Sequence, residues 1–446
     1  MKKFLNRKAI TRVQASIIVA VVVVAVIAAG FMMIPTAPPP TTTITQPPTT
    51  QPPTTQPPTT QPPPQPPIKI GVPAPLTGPF AAQAKYLKDG IVMATEDVNA
   101  AGGLLGRDIT LVFGDYEGKA DVGVAVFEKL ITQDKVDALV GGVKTFVALA
   151  TMDVAAKYGI PVVYSIPAGD SIGQKILSDP QKYRNIFMAD LNNTYWGLLE
   201  VIWLDDVLAR GEWKPRNHKY ALIAEDSDWG RGVCDVWEAE MTARGWELVA
   251  YEIVDMAQVD YTSLLTKLKA LDPVLIKAEI TSPEAGVALT KQKVELGVNV
   301  LFFTGYAGEV KDYTDLAGAF ADYNIYYSYP LPMKWVDDLL RRFPDSDPIG
   351  AFWGYDSMMI LVDAIRRAGT TDWNAVGQAL AKTDYTGLWG RYVFGSSHFP
   401  LWGSEYLAAG MLQFMDGKRY FIWPPRLKTV ESNLPYADFQ VPPGTE

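Results

Sequence analysis

Short apolar runs alternate with longer segments of helical periodicity from Ile68 onward. "IKIGVPAP" is a predicted strand, and the segment after it places apolar residues three and four positions apart, which predicts an amphipathic helix. The apolar positions of that helix are Ala84, Leu87, Ile91, Ala94 and Val98. "DITLVFGD", "VDALVGG", "IPVVYSI" and "YRNIFMAD" continue as strands with helical segments between them, and they close a first block near Asp190.

A second block repeats this alternation. "KYALIAED", "WELVAYEIV", "VLIKAEI" and "NVLFFTGY" are predicted strands, separated by helical segments such as "GRGVCDVWEAEMTARG". Strands that alternate with helices of about 10–15 residues predict parallel sheets covered on both faces. We therefore predict an α/β fold with two lobes, one for each block.

The C-terminal part is less regular. "FWGYDSMMILVDAIRRAG" predicts a long helix that ends at Gly369. "YLAAGMLQFMDGKRYFIWPP" predicts a hairpin whose turn is Asp416 and Gly417. Residues 426–446 have no periodicity, and we expect them to form a loose tail.

The N-terminus has the features of a membrane anchor. Residues 16–34 form an uncharged apolar run of about 19 residues, roughly the length of a helix that crosses a bilayer. The basic residues before the run predict that residues 1–15 are cytoplasmic and that the rest of the chain is outside. A cleaved secretory signal and a prepilin-like signal are the alternatives. The basic residues are Lys2, Lys3, Arg7, Lys8 and Arg12.

Proline and threonine pairs fill residues 35–67 between this run and the first strand. Proline fixes φ and lacks an N–H group, so such a segment favours extended polyproline II rather than a helix or sheet. At about 3.1 Å per residue it spans up to roughly 100 Å. We predict a stalk that holds a globular domain away from the outer face of a membrane.

The charge of the chain and its cysteine and histidine content argue against several classes of partner and binding site. The part of the chain from residue 68 onward holds 35 of the 40 basic residues and all 49 acidic ones, a net charge of −14. An acidic surface argues against nucleic acid and anionic lipid as partners. Cys234 is the one cysteine, so no intrachain disulfide can form, and the two histidines are far apart in sequence. We predict no metal site.

No catalytic motif stands out. A nucleophile elbow of the form G-x-S-x-G does not occur, and "GGVKT" has Val143 where a phosphate loop needs glycine. Carboxylates are abundant, but nothing marks a pair of them for general acid–base work. We therefore expect neither an enzyme nor a cofactor.

Polar and aromatic residues stand where predicted strands end and helices begin, and ligands bind at this edge of α/β sheets. Thr145 opens a helix, where free N–H groups suit a ligand carboxylate, although it could simply cap that helix. Trp229 lies between Asp228 and Gly230, where it covers either a ligand or the edge of the lobe. The other candidates at such junctions are Phe80, Gln83, Ser165 and Ala168.

Several motifs, taken in order, resemble the branched-chain amino-acid class of solute-binding proteins of ABC importers. They are "IKIGVPAPLTGPFA", "ATEDVNAAGGLLGRDITLVFGD", "GIPVVYS", "SDWGRG" and "DYTSLLTKLKALDP", and the resemblance covers nearly all of residues 68–425. It implies a type I periplasmic-binding-protein fold with two Rossmann-like lobes joined by three crossovers that close on a small ligand. In this arrangement lobe 1 is formed by residues 68–189 and 330–390, and lobe 2 by residues 190–329 and 391–425. It also implies a membrane permease with cytoplasmic ATPases as partners.

The resemblance assigns ligand contacts to individual positions. Thr145 falls on the hydroxyl residue that meets the ligand carboxylate, and Ser165 and Ala168 fall in the next binding loop. Trp229 stands where the family often has tyrosine. Thr281 falls near another such tyrosine, and Gln83 falls where a residue of the side-chain pocket is expected.

The main departure from the family is in "FTGYAGEV". Amino-acid binders have an acidic residue here that holds the ligand ammonium, whereas this chain has Ala307, with Glu309 two residues later. Either Glu309 substitutes for that acid or the ligand is not an α-amino acid, so we expect weak or no binding of free leucine, isoleucine or valine. Lys144 and Tyr306 complete the predicted ligand-binding set.

The predicted function is that of a membrane-tethered extracellular receptor. It delivers a small polar organic solute (an amino acid, amide or carboxylate) to an ABC permease with cytoplasmic ATPases. The alternative is an extracellular ligand-sensing domain that acts through a membrane partner. The membrane contact is the N-terminal helix, and no nucleic acid is involved.

Overall fold

Five parallel strands form the first sheet in the computed structural model, which describes residues 65–446 of the protein. The strands are β1 (Ile68–Ala74), β2 (Ile109–Asp115), β3 (Ala138–Gly141), β4 (Val162–Tyr164) and β5 (Ile186–Met188). Their order across the sheet is β2-β1-β3-β4-β5. The connecting helices are α1 (Ala81–Ala100), α2 (Ala120–Thr132), α3 (Thr145–Tyr158) and α4 (Asp170–Ser178). The central strands are buried almost throughout, as expected for parallel strands covered on both faces.

The second sheet has seven strands and is mixed. Its parallel part contains β6 (Lys219–Glu225), β7 (Glu247–Val254), β8 (Leu275–Glu279), β9 (Leu301–Phe303) and β10 (Asn324–Ser328). A small separate hairpin, β11 (Asp384–Thr386) and β12 (Arg391–Val393), precedes the antiparallel strands β13 (Gly410–Met415) and β14 (Lys418–Trp423). The order across the sheet is β14-β13-β10-β9-β8-β6-β7.

Helices cover this second sheet and then return the chain to the first. They are α5 (Asn193–Ala209), α6 (Asp228–Ala243), α7 (Thr262–Leu271), α8 (Pro283–Glu295) and α9 (Lys311–Ala317), followed by α10 (Met333–Arg342), α11 (Pro348–Ala368) and α12 (Trp373–Leu380). Short 3-10 turns occupy Gly305–Glu309, Gly318–Ala321 and Pro425–Thr429.

A close helix crossing shows that α11 belongs to the first lobe. A Cβ atom on Gly90 of α1 would lie 1.8 Å from the carbonyl oxygen of Ala351, and one on Gly354 would lie 2.1 Å from that of Leu87. Only glycine permits this approach. The chain therefore passes between the lobes three times: after β5, after β10 and before β13. The prediction of two α/β lobes joined by three crossovers is confirmed.

The turn chemistry of the C-terminal part is also as predicted. Gly369 ends α11 with a φ of 65°. Asp416 and Gly417 join β13 to β14 with φ values of 51° and 67°, the backbone that a two-residue hairpin turn requires.

The prediction of a loose C-terminal tail is wrong. Thr445 is fully buried and its hydroxyl accepts a hydrogen bond from the indole N–H of Trp213 at 3.1 Å. Gln413 of β13 exchanges two hydrogen bonds with the backbone of Gln440. Phe439 also packs on Trp203, with ring centroids 5.3 Å apart. The segment is held by contacts with distant elements, which its own sequence does not show as a regular pattern.

Residues around His398 lie against the first sheet. The His398 ring stacks on Phe187 of β5 with centroids 4.4 Å apart, and its Nδ1 lies 2.8 Å from the carbonyl oxygen of Ile186. The predicted lobe boundary at residue 390 stays a prediction, but these contacts join part of the segment after it to the first lobe.

The predicted cytoplasmic segment (1–15), membrane helix (16–34) and all but the last three residues of the predicted stalk (35–67) lie outside the described residues. Within residues 65–446, no helix is both long enough and apolar enough to cross a bilayer.

Candidate functional site

A cavity lies between the two lobes, at the carboxyl ends of β3, β5, β6 and β8. It encloses about 590 Å³ of space free of protein atoms, part of it open to solvent. The predicted residues that line it are Gln83, Lys144, Thr145, Ala168, Trp229, Thr281 and Tyr306. The parallel strands of both sheets bring these residues together, because the carboxyl ends of such strands share one edge of the sheet.

Lys144 and Thr145 form one wall of the cavity. Thr145 is the first residue of α3, and Lys144 is its N-cap without a side-chain capping bond. Thr145 therefore does not cap its own helix; its Oγ1 instead accepts a hydrogen bond from the Gly169 amide at 3.2 Å. Burial lowers the pKa of Lys144 to about 8, although the Glu225 carboxylate acts in the opposite direction.

Thr281 stands opposite Lys144 and is held by a buried carboxylate. Its amide and hydroxyl both donate to Oε2 of Glu225, at 2.8 and 2.7 Å. The other oxygen of Glu225 accepts from the Ser227 hydroxyl at 2.7 Å. This arrangement fixes the Thr281 hydroxyl, whose oxygen lies 3.4 Å from Nζ of Lys144.

Trp229 and Tyr306 are positioned by a shared carboxylate. The indole N–H of Trp229 and the amide of Tyr306 both donate to Oε1 of Glu279, each at 3.0 Å. Glu279 in turn pairs with Lys277 at 2.9 Å, and Lys277 pairs with Glu200 at 2.7 Å. Burial by itself lowers the pKa of Lys277, but the two carboxylates outweigh it and raise that pKa above its usual value.

Hydrogen bonds cross the cleft and bring the lobes into contact. Nε2 of Gln83 lies 3.5 Å from the carbonyl oxygen of Thr281, a long and weak contact. The Tyr86 hydroxyl donates to Asp312 at 3.2 Å. Ser171 donates to Asp228 at 2.5 Å. This is the arrangement of a closed cleft.

Four predicted residues do not line the cavity: Phe80, Ser165, Ala307 and Glu309. Phe80 lies behind Lys144, with Nζ 4.1 Å from its ring centroid. Ser165 is fully buried, and its hydroxyl bonds to that of Ser357 at 2.6 Å. These two residues support the cavity wall rather than face the cavity.

Ala307 and Glu309 lie in the 3-10 turn after β9. Ala307 is packed against α8, where a Cβ on Gly286 would lie 2.6 Å from the Ala307 side chain. Glu309 is fully buried, and neither of its carboxyl oxygens has a hydrogen-bond partner in residues 65–446. Burial first, and then the charges of Asp190 and Asp347, raise its pKa well above the usual range. Glu309 is thus not among the residues that line the cavity, and its substitution for the family's amine-holding acid stays a prediction.

Sequence reasoning missed several residues of the cavity wall. Asp190 and Glu225 end or follow predicted strands. Thr145 was identified as a polar residue at the end of a strand, and the same criterion could have found these two. The aromatic residues gave no such signal, because crossover elements that are distant in sequence bring them to the site. The missed residues that matter most are Asp190, Trp196, Glu225, Tyr327, Tyr329 and Trp353.

Comparisons with known proteins agree with this fold and cleft. Residues 67–408 match the family described as periplasmic binding protein. The Leu/Ile/Val-binding protein homolog 2 of Brucella abortus (strain 2308) is 26% identical over 318 residues, which is 70% of this chain and 82% of that protein.

Two solved structures share the fold. A crystal structure described as a branched-chain amino acid ABC transporter from Silicibacter pomeroyi matches with a TM-score of 0.75 and 25% identity, covering 84% of this chain and 99% of that one. A solute-binding protein of an ABC transporter from R. palustris, in complex with benzoate, matches with a TM-score of 0.68 and 18% identity, covering 84% and 98% of the two chains. The chain belongs to the periplasmic binding protein family and is a solute-binding protein of the branched-chain amino-acid type of ABC transporter.

Proposed function

We propose that the protein captures a small organic carboxylate between its lobes and delivers it to an ABC importer. The observation that carries this proposal is Lys144, whose side chain lines the cavity and forms no ion pair with any residue of 65–446. Beside it, Thr145 opens α3, and a helix N-terminus offers unpaired amides and partial positive charge. A ligand carboxylate is the group that suits both.

The ligands named for similar proteins fit this class. Leucine, isoleucine and valine, named for the Brucella relative, and benzoate, bound to the R. palustris protein, share a carboxylate and little else. In this chain the cavity wall away from Lys144 is rich in aromatic side chains, which suits an apolar ligand body. Oε1 of Gln83 is buried and has no hydrogen-bond partner in residues 65–446, so it is available to a ligand donor.

Capture works by closure of the lobes. Lys144 and Gln83 belong to the first lobe and both reach Thr281 of the second. Opening the cleft breaks these contacts together with the bond from Tyr86 to Asp312. A ligand that touches both lobes favours the closed form, because it binds that form better than the open one.

Delivery depends on a permease, and the N-terminal segments of the chain keep the receptor near that permease. An anchor at residues 16–34 with a stalk at 35–67 keeps the receptor at the outer face of the membrane and raises its effective concentration at the permease. Full-length protein then partitions with membranes, while a chain that starts at Ile68 is soluble and folds unchanged. A native mature protein that starts after Pro35 and is freely secreted contradicts this tether.

Ligand binding can be tested directly. Mass spectrometry of solutes that copurify with the protein identifies the ligand class, and calorimetry with hexanoate, benzoate and leucine compares candidate carboxylates. Lys144→Met should weaken carboxylate binding about tenfold or more, since hydrogen bonds to charged groups contribute about 1.5–3 kcal/mol.

The matched control is Lys157→Met, at the exposed C-terminal end of the same helix. It should leave affinity unchanged. Equal affinity in the wild-type protein and the Lys144 variant overturns the proposed carboxylate contact.

A further inference from the structure

The most buried part of the cavity is an aromatic chamber with a carboxyl group in its wall. We call Asp190, Trp196, Tyr327, Tyr329 and Trp353 the inner chamber; all five line the cavity and are at most 4% exposed. Trp196 stacks on Tyr327 with centroids 4.2 Å apart, and Tyr329 meets both Trp196 and Trp353 edge-on, at 5.7 and 5.3 Å. The rings therefore form a continuous wall, with contributions from both lobes.

Asp190 lacks a countercharge. It follows β5, and its Oδ1 accepts one hydrogen bond, from the Leu191 amide at 2.7 Å. No lysine or arginine of residues 65–446 pairs with it, and the buried Glu309 carboxyl interacts with it as a like charge. Burial raises the pKa of Asp190 well above its usual range, only partly offset by the Leu191 amide and the Trp353 indole. A buried carboxylate without a partner is costly, so a cation placed beside it is strongly favoured.

A second, independent observation points to a ligand in the same place. The Tyr327 hydroxyl is buried, and it has no hydrogen-bond partner within the described residues. The Tyr327 oxygen can accept a hydrogen bond from an ammonium group. Unpaired buried polar atoms in a binding cavity are the groups that a ligand satisfies.

Aromatic faces beside a carboxylate are suited to one ligand class. Ring faces attract cations, and cages of aromatic residues recognise ammonium and methylated ammonium groups. The net charge of the cavity wall also favours a cationic ligand group. Among the described lining residues, Asp190, Glu225 and Asp228 are acidic, and Lys144 is the single basic one. A neutral alkyl group in the inner chamber leaves Asp190 unpaired, and an anion is repelled by it.

The position of the inner chamber relative to Lys144 indicates how far apart the two charged groups of the ligand are. Lys144 follows β3 and Asp190 follows β5, and β4 lies between these strands. Neighbouring strands are about 4.8 Å apart, so the two backbone positions are separated by roughly 10 Å. A solute with its charges at its two ends matches that separation better than one that carries both charged groups on one carbon.

We infer that the inner chamber binds the ammonium group of a solute whose carboxylate lies at Lys144, so that the ligand is an ω-amino carboxylate or its methylated analogue rather than an α-amino acid. This inference rests on the proposed carboxylate receptor and names its substrate class. It also agrees with the expectation of weak leucine binding that the Ala307 position gave.

Three probes of matched size separate the two charges. They are 5-aminopentanoate, hexanoate, which has methyl in place of ammonium, and pentylamine, which has methyl in place of carboxylate. Calorimetry on the wild-type protein should show 5-aminopentanoate binding about tenfold to a hundredfold tighter than hexanoate, the effect of one hydrogen-bonded ion pair. Leucine should bind more weakly than 5-aminopentanoate.

Asp190→Asn keeps the shape of the side chain and removes its charge, and it should abolish the preference for 5-aminopentanoate over hexanoate. Asp226→Asn is the control, because Asp226 is exposed and pairs with Arg231 away from the cavity; it should keep the preference. The comparison of probes on the wild-type protein also tests the inference if the Asp190 variant does not fold.

The outcomes distinguish this inference from the proposed function. Hexanoate binding as tightly as 5-aminopentanoate, or leucine binding more tightly, overturns the cation site and leaves the carboxylate receptor intact. Pentylamine binding that depends on Asp190, together with 5-aminopentanoate affinity that Lys144→Met leaves unchanged, supports the cation site and overturns the carboxylate contact. No binding of any probe overturns both.

Discussion

Two tryptophans of helix α6 allow a matched test of the site. Trp229 lies at the start of the helix, is half-buried and lines the cavity, whereas Trp237 lies two turns later and is fully buried. Each donates its indole N–H to a carboxylate that pairs with Lys277: Trp229 to Glu279 at 3.0 Å, and Trp237 to Glu200 at 2.7 Å. The two residues share type, helix and charge network, and they differ in whether they face the ligand.

Trp229→Ala should weaken ligand binding far more than it destabilises the protein. Truncation of an aromatic anchor commonly costs about 2 kcal/mol of binding free energy, or roughly thirtyfold in affinity. In the ligand-free protein, Oε1 of Glu279 keeps the Tyr306 amide as a donor, so the free energy of unfolding should fall by only about 1 kcal/mol. Trp229→Phe keeps most of the ring and should retain most of the affinity.

Trp237→Ala should do the opposite. Its ring packs against Phe303 with centroids 4.9 Å apart, and removing a buried tryptophan typically costs about 3–5 kcal/mol of stability. Calorimetry with the tightest-binding probe gives the affinities, and urea denaturation of the ligand-free variants gives the stabilities. If Trp229→Ala leaves affinity intact and lowers stability as much as Trp237→Ala does, Trp229 is a packing residue and our assignment of it to the site is refuted.

Three further outcomes are expected. Carboxylate affinity, measured by calorimetry across pH, should fall as pH rises through about 8, because the pKa of Lys144 is about 8 and only its protonated form attracts an anion; a flat profile from pH 7 to 9 contradicts this. Tyr86→Phe removes the cross-cleft bond to Asp312 and should speed ligand dissociation severalfold in stopped-flow experiments, with little change in apo stability; an unchanged rate shows that this bond does not hold the cleft closed. Gly354→Ala should lower the midpoint of thermal unfolding markedly, because its Cβ would lie 2.1 Å from the carbonyl oxygen of Leu87; an unchanged midpoint shows that α1 and α11 can separate without cost.

The sequence by itself determined the fold class and one edge of the site. Apolar strands with helical segments between them predict a mainly parallel α/β arrangement, and local turn chemistry placed Gly369 and the hairpin turn at Asp416 and Gly417. Thr145 and Trp229 follow strands directly, so their place at the carboxyl edge of a sheet was readable from their neighbours alone.

Tertiary structure decided the rest, because it depends on contacts between segments far apart in the chain. The inner chamber joins Asp190 after β5, Trp196 of α5, Tyr327 of β10 and Trp353 of α11, and only the crossovers between lobes bring these residues together. The same crossovers place Glu309 in the protein interior, although its position in sequence made it a candidate for the site. Local periodicity shows which face of an element is buried, but not which distant element packs on that face. The chemistry of this cavity depends on which elements pack together.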